Sequence, residues 1–176
     1  MKKKFWTSDK LVGFTAMFIS LLTLYIFVRQ TNIMEEQSHL SVMPYLRLDT
    51  SDRMGEKIYS IDLVNYGVGP ALIEKSTIFY KEETHNMPLI DFLKENFRVM
   101  DSIVPTNITS MEPGTAIRAG DKINLITVGG QKSYTDFLML LNQLLEENLN
   151  WEIQYKSIYD DRWKISTPLN TPIALD

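Results

Sequence analysis

The chain has two histidines and no cysteine, which narrows the chemistry open to it. His39 lies in EEQSHL and His85 in EETHNMP, and neither belongs to a His-x-x-x-His or Glu-flanked metal spacing. Both read as solvated residues of a stalk and a loop. Without cysteine there is no thiol nucleophile, no Cys-ligated zinc and no disulfide framework. Nucleophile-elbow, P-loop and dinucleotide fingerprints are missing from the sequence. Gly67-Val68-Gly69 is too short for a dinucleotide motif and precedes a strand pattern rather than a helix. Asp49, Asp52 and Glu56 share one polar stretch and carry oxygen ligands of the kind Ca²⁺ takes, but not at EF-hand spacing. They read as a polar turn. Asp160-Asp161-Arg162 reads as a hairpin tip, and Asn107-Ile108-Thr109 matches a glycosylation sequon for which no modification is expected. No catalytic residue, metal site or cofactor is expected, so the chain reads as a non-enzyme. The aromatic residues are more informative. Tyr66, Tyr80, Trp151, Tyr155, Tyr159 and Trp163 fall at strand positions and corners. Tyr159 and Trp163 flank the 160–162 turn and are expected to pair across it. Tyr159, Asp160, Asp161, Arg162 and Trp163 therefore form the candidate partner-binding edge.

These residues need a scaffold, and the scaffold is organised around Leu11 to Val28. That run, LVGFTAMFISLLTLYIFV, holds no charge and no proline, and is bounded by Lys10 and Arg29. Eighteen helical residues reach about 27 Å, close to the hydrocarbon thickness of a bilayer. RQTNIMEEQ follows and offers no small-residue cleavage site, so an uncleaved anchor is expected rather than a signal peptide. Residues 1–10 form a basic cytoplasmic flank with Trp6 at interfacial depth, 11–28 the transmembrane helix that meets the lipid, and 29–43 a helical stalk. Gly13, Ala16, Ser20 and Thr23 recur every three or four residues and share one helix face, which suits self-association into a homo-oligomer. Residues 40–176 carry 13 Lys and Arg against 19 Asp and Glu, a balance of −6. An acidic domain lacks the footprint of a general nucleic-acid binder.

Residues 44–168 read as one folded domain, long enough for a hydrophobic core, with 169–176 as a loose tail. Tyr45 to Leu48 alternates as a first strand, followed by a turn-rich loop, 49–57. In 57–66, Tyr59, Ile61 and Leu63 face one way and Ser60 and Asp62 the other, the pattern of a half-buried antiparallel strand. Alternation resumes in 71–81, so 57–81 is a hairpin or a sheet-crossing corner. Residues 88–97 suit a short helix and 104–118 a loop. A strand is expected over 121–128. A helix over 133–148 would start on a Ser133–Asp136 capping box and bury Phe137, Leu138, Leu141, Leu144 and Leu145. A strand over 150–159 then pairs back through 162–167. About six strands and two helices with tight connections predict a mainly β fold. The expected architecture is an N-terminal transmembrane helix followed by an immunoglobulin-like antiparallel β-sandwich, with a small α+β domain as the alternative.

Asn65-Tyr66-Gly67-Val68-Gly69-Pro70-Ala71, after an alternating strand, resembles a recurring corner of bacterial sandwich domains: Asn, any residue, Gly, any residue, Gly, Pro, Ala. With the anchor, a stalk ending near Met43-Pro44-Tyr45 and a closing Tyr155 to Tyr159 hairpin, the whole chain resembles a group of small single-pass bacterial membrane proteins. The resemblance implies a fold and an address and carries no catalytic residue across. Asn65, Gly67, Gly69 and Pro70 are read as a structural corner. The expected function is a non-catalytic interaction module of the bacterial envelope, binding a protein or peptide. The second reading, by architectural analogy, is a ligand-sensing effector of antiphage defence that oligomerises and perturbs the membrane. Lys2, Lys3, Lys4 and Lys10 precede the hydrophobic run, and only Arg29 follows it before Arg47. That imbalance predicts a cytoplasmic N-terminus and an outer C-terminal domain.

Overall fold

A computed structural model of the chain describes residues 8–175. Lys2, Lys3, Lys4 and Trp6 of the basic flank lie outside the described residues. The chain forms two compact units that meet between Ser41 and Val42. The first is one helix, α1 (Ser8–Leu40), with no buried residue and enough length and apolar character to cross a membrane. At 33 residues it extends about 50 Å. The stalk is thus the same helix continued, and it ends three residues before the expected boundary.

The second unit is a β-sandwich. Sheet one runs β1 (Leu46–Arg53), β2 (Ile58–Asn65), β7 (Lys122–Gly129) and β5 (Pro105–Ile108), in the order β1-β2-β7-β5. Sheet two runs β10 (Ile173–Leu175), β9 (Arg162–Ser166), β8 (Asn150–Lys156), β3 (Ala71–Tyr80) and β4 (Glu83–His85), with β6 (Ala116–Ile117) also on β3. Every pairing is antiparallel. Relabelled in chain order, β1-β2-β7-β5 is A-B-E-D and β9-β8-β3-β4 is G-F-C-C′, the immunoglobulin arrangement. The 57–81 stretch is the sheet-crossing corner: β2 lies in sheet one and β3 in sheet two. Between the sheets lie Leu46, Leu63, Ile73, Ile78, Ile153 and Ile165, all essentially inaccessible. Two helices close the sandwich: α2 (Leu89–Asn96), which buries Ile90, Phe92 and Leu93, and α3 (Gln131–Glu146).

Several local expectations are corrected. β1 continues to Arg53, so the turn is confined to 54–57, where Lys57 takes a positive φ of 54°. Residues 104–118 hold the short strands β5 and β6, whose length leaves little alternation to read. Asp62 is buried, because a register shift between Ile61 and Asp62 brings Lys122 (2.9 Å) and Asn124 (2.6 Å) onto its carboxylate. The Ser133–Asp136 capping box does not form. Gly130, with a φ of 85°, turns the chain straight from β7 into α3 two residues earlier, and the Ser133 hydroxyl accepts the Val104 N–H instead. The tail is not loose, since β10 pairs with β9.

Candidate functional site

The expected partner-binding edge, Tyr159 to Trp163, sits on the β8–β9 hairpin, and most of its polar groups hold that hairpin together. β8 ends at Lys156, so Tyr155 lies opposite Trp163 and Lys156 opposite Arg162. The cross-strand partner of Trp163 is therefore Tyr155, not Tyr159, and their rings stack at 6.0 Å. The reason is turn length: residues 157–161 make the turn, where 160–162 was expected. Ser157 Oγ accepts the N–H groups of Tyr159 and Asp161 and lies 3.1 Å from the Asp161 carboxylate. The Lys156 ammonium beside Asp160 holds that carboxyl below the usual range. Arg162 pairs with Glu74 at 3.2 Å. What the hairpin offers outward is Ile158 and Tyr159. Leu72 lies opposite Lys156, so the exposed Tyr66 and Val68 of the corner share this end of the sandwich.

The corner itself is built inward. Asn65 has no exposed surface, and its Oδ1 accepts the N–H of Tyr45 (3.1 Å) and Gly67 (3.0 Å). Its Nδ2 donates to the carbonyls of Gly69 (2.8 Å) and Ile117 (3.0 Å). All four hydrogen-bonding positions of the amide are thus used. A Cβ on Gly67 would lie 2.4 Å from Met43 O, and one on Gly69 1.8 Å from Val42 O. The glycines let the corner close on the segment that follows α1.

The other polar residues singled out in the sequence each have their own partners. Asp49 engages Arg47 and the Tyr66 hydroxyl, Asp52 takes the Tyr134 hydroxyl at 2.7 Å, and Glu56 pairs with Arg53. The three carboxylates are separately occupied and make no calcium cage. No cluster of His, Asp or Glu able to hold a metal occurs among the described residues. His85 lies on β4, with its ring 4.9 Å from Phe92. His39 closes the last turn of α1. Gly13, Ala16, Ser20 and Thr23 lie on α1, where the Ser20 and Thr23 hydroxyls donate to Ala16 O and Ile19 O of their own helix.

The feature that sequence reasoning missed is a cleft of about 310 Å³ between the sheets and under α3. Leu48, Tyr59, Ile61, Leu93, Leu141, Leu145 and Trp151 wall it, and Thr50, Asn142 and Thr167 supply polar groups. It exists because the expected apolar face of α3 is divided. Phe137 and Leu140 enter the core with Tyr134, Leu144 is buried at the boundary and borders the cleft, and Leu138, Leu141 and Leu145 turn to the cleft, where Leu145 stays 67% exposed. The sequence signal was an apolar stripe wider than one core contact requires.

The cleft lies beside β1, one of the two edge strands of sheet one. Two groups reach that edge from elsewhere. The Tyr155 hydroxyl accepts the Leu46 N–H at 3.3 Å, and burial pushes this phenol up to about 12, so it stays protonated. The Asn170 side chain accepts the Leu48 N–H at 2.7 Å and donates to the Leu48 carbonyl at 2.6 Å. Its amide thus occupies one position of a neighbouring strand. No protein-family model matches the chain, and no curated protein matches it in sequence, so the functional reading rests on this geometry.

Proposed function

We propose that the chain is a membrane-anchored, non-catalytic interaction module. α1 is a single-pass anchor in a bacterial cytoplasmic membrane, with its N-terminus in the cytoplasm, and the sandwich stands on the outer side and binds a protein or peptide through the cleft. One observation carries the reading. The cleft has the size and lining of a binding site, about 310 Å³ with apolar walls and three uncharged polar side chains. A core cavity of that size with no occupant would forfeit several kcal/mol of packing, whereas an open binding cleft recovers it on occupation. The test is a selection of displayed random peptides on the full chain in lipid nanodiscs. Peptides should be enriched on the wild type and lose at least tenfold in affinity on Leu145→Glu. That variant places a charge at the mouth at an exposed position that folding tolerates. Peptides indifferent to Leu145→Glu, or no enrichment, would remove the cleft as the partner site.

The orientation rests on the four lysines before the helix against Arg29 after it. Alkaline phosphatase fused after Asp176 should be active, and a fluorescent protein that matures only in the cytosol should be dark. The opposite pair of results would place the sandwich in the cytoplasm and make a sensing effector the better reading.

A further inference from the structure

We infer that the partner is an extended peptide which adds to the free half of β1 and inserts one bulky apolar side chain into the cleft. The inference rests on reading the cleft as the partner site and names what fills it. β1 pairs with β2 in an unbroken register from Leu46 to Arg53. In such a strand alternate residues turn their N–H and C=O to the same side. Leu46 and Leu48 send theirs away from β2, toward Tyr155 and Asn170. Thr50 and Asp52 must therefore point the same way. β1 has no second neighbour in the sheet among the described residues. The edge is closed at its first two outward positions and open at the next two. An open edge is a template for another strand.

Asn170 shows what this edge accepts. It is a planar amide that gives one hydrogen bond and takes one from a single residue of β1, as a peptide unit of an added strand would. A strand continuing from that point would meet Thr50 and then Asp52. Directly opposed residues of paired strands place their side chains on the same face. Thr50 lines the cleft, so the residue opposite it would direct its side chain inward, against Leu141 and Leu145. Leucine, methionine, phenylalanine or tryptophan fits that position. Two residues along, the incoming side chain faces Asp52, where a lysine or arginine is favoured by charge. The net charge of −6 over residues 40–176 favours a basic partner in the same direction.

A second copy of this chain fits poorly. With the edge open only at Thr50 and Asp52, pairing two β1 strands would place threonine or aspartate opposite Thr50, and neither fills an apolar cleft.

The test uses the peptides selected on the full chain. They should carry one large apolar residue, with a basic residue two positions away. Methylating the backbone nitrogen of the residue paired with Thr50 should weaken binding at least tenfold, and methylating its neighbour, whose N–H faces away, should not. Thr50→Pro removes the outward donor without breaking a bond to β2, and edge strands tolerate proline where the N–H faces solvent. It too should cost at least tenfold. Thr50→Val keeps the backbone donor and should retain binding, which assigns the loss to the N–H rather than to the hydroxyl, and an unchanged near-UV circular dichroism spectrum shows that the proline variant is folded. Peptides that are lost on Leu145→Glu but indifferent to methylation and to Thr50→Pro would overturn strand addition and leave the cleft as the partner site. A concentration-dependent oligomer of the full chain abolished by Thr50→Pro would overturn it in favour of a second copy.

Discussion

Asn65→Ala is expected to lower the thermal midpoint of the sandwich by roughly 10–15 °C, the shift that a loss of about 3–4 kcal/mol produces in a domain of this size. The amide is wholly buried and serves four backbone groups: the N–H of Tyr45 and Gly67 and the C=O of Gly69 and Ile117. Each of these left unsatisfied inside the protein costs about 1–3 kcal/mol. A water entering the vacated space recovers part of that, which is why the sum of four penalties is not expected. Asn65→Asp separates polarity from volume. It fills the same space, excludes water, and sets a carboxylate oxygen against the two carbonyls. It should be at least as damaging as alanine at neutral pH. Burial beside carbonyls raises the folded-state pKa of such a carboxyl, so stability is regained as pH falls and a proton supplies one donor. The measurement is near-UV circular dichroism of the full chain in detergent micelles, followed at the tryptophan bands, to which Trp151 and Trp163 of the sandwich contribute and α1, which holds no tryptophan, does not. A shift below about 3 °C for both variants would mean that the network is dispensable.

This corner was legible in the sequence as a motif, but its work was not. Asn, Gly and Pro at those spacings announced a backbone-driven turn between two alternating strands, and that is local information. The partners of Asn65, from Tyr45 to Ile117, are set by how the sheets stack. The same division holds elsewhere. Leu11–Val28 and the alternation of 58–65 declare themselves because every residue of the element carries the signal. β5 and β10 are too short to show a period, and each is a strand only because a longer neighbour, β7 or β9, offers an edge. Asn170 follows the same rule at its limit. It lies in a Pro-rich tail, and its bonds to Leu48 span 122 residues. The candidate site was hidden for a related reason. Leu138, Leu141 and Leu145 were visible as apolar, but an apolar helix face looks the same in sequence whether it meets a core or a cleft. The hairpin aromatics misled in the other direction: Trp163 looked available and is spent on Tyr155.

Gly69→Ala tests what the corner is for. The added methyl would lie 1.8 Å from the carbonyl oxygen of Val42 and 2.3 Å from its carbonyl carbon. Both are backbone atoms, so no side chain can rotate away to make room. The φ of Gly69 is outside the left-handed region, and the cost is therefore contact rather than backbone strain. The segment from Val42 to Pro44 has to move. It gives up the bonds from the Val68 N–H (3.0 Å) and Gly69 N–H (3.4 Å) to Met43 O, and pulls on the Tyr66 N–H bond to Tyr45 O (2.8 Å). Three hydrogen bonds at about 1 kcal/mol each put the loss near 3 kcal/mol. The two sheets, whose pairings begin at Leu46 and Ala71, are expected to stay folded. What changes is the attachment, because these residues are the first after the anchor helix. Chymotrypsin should cut the variant near Tyr45 at least tenfold faster than the wild type and release an intact sandwich fragment from the micelle. Gly55→Ala is the control, since a methyl there meets nothing within 4 Å. If Gly69→Ala is cut no faster than Gly55→Ala, the corner does not grip the segment after α1, and the two glycines serve only the turn.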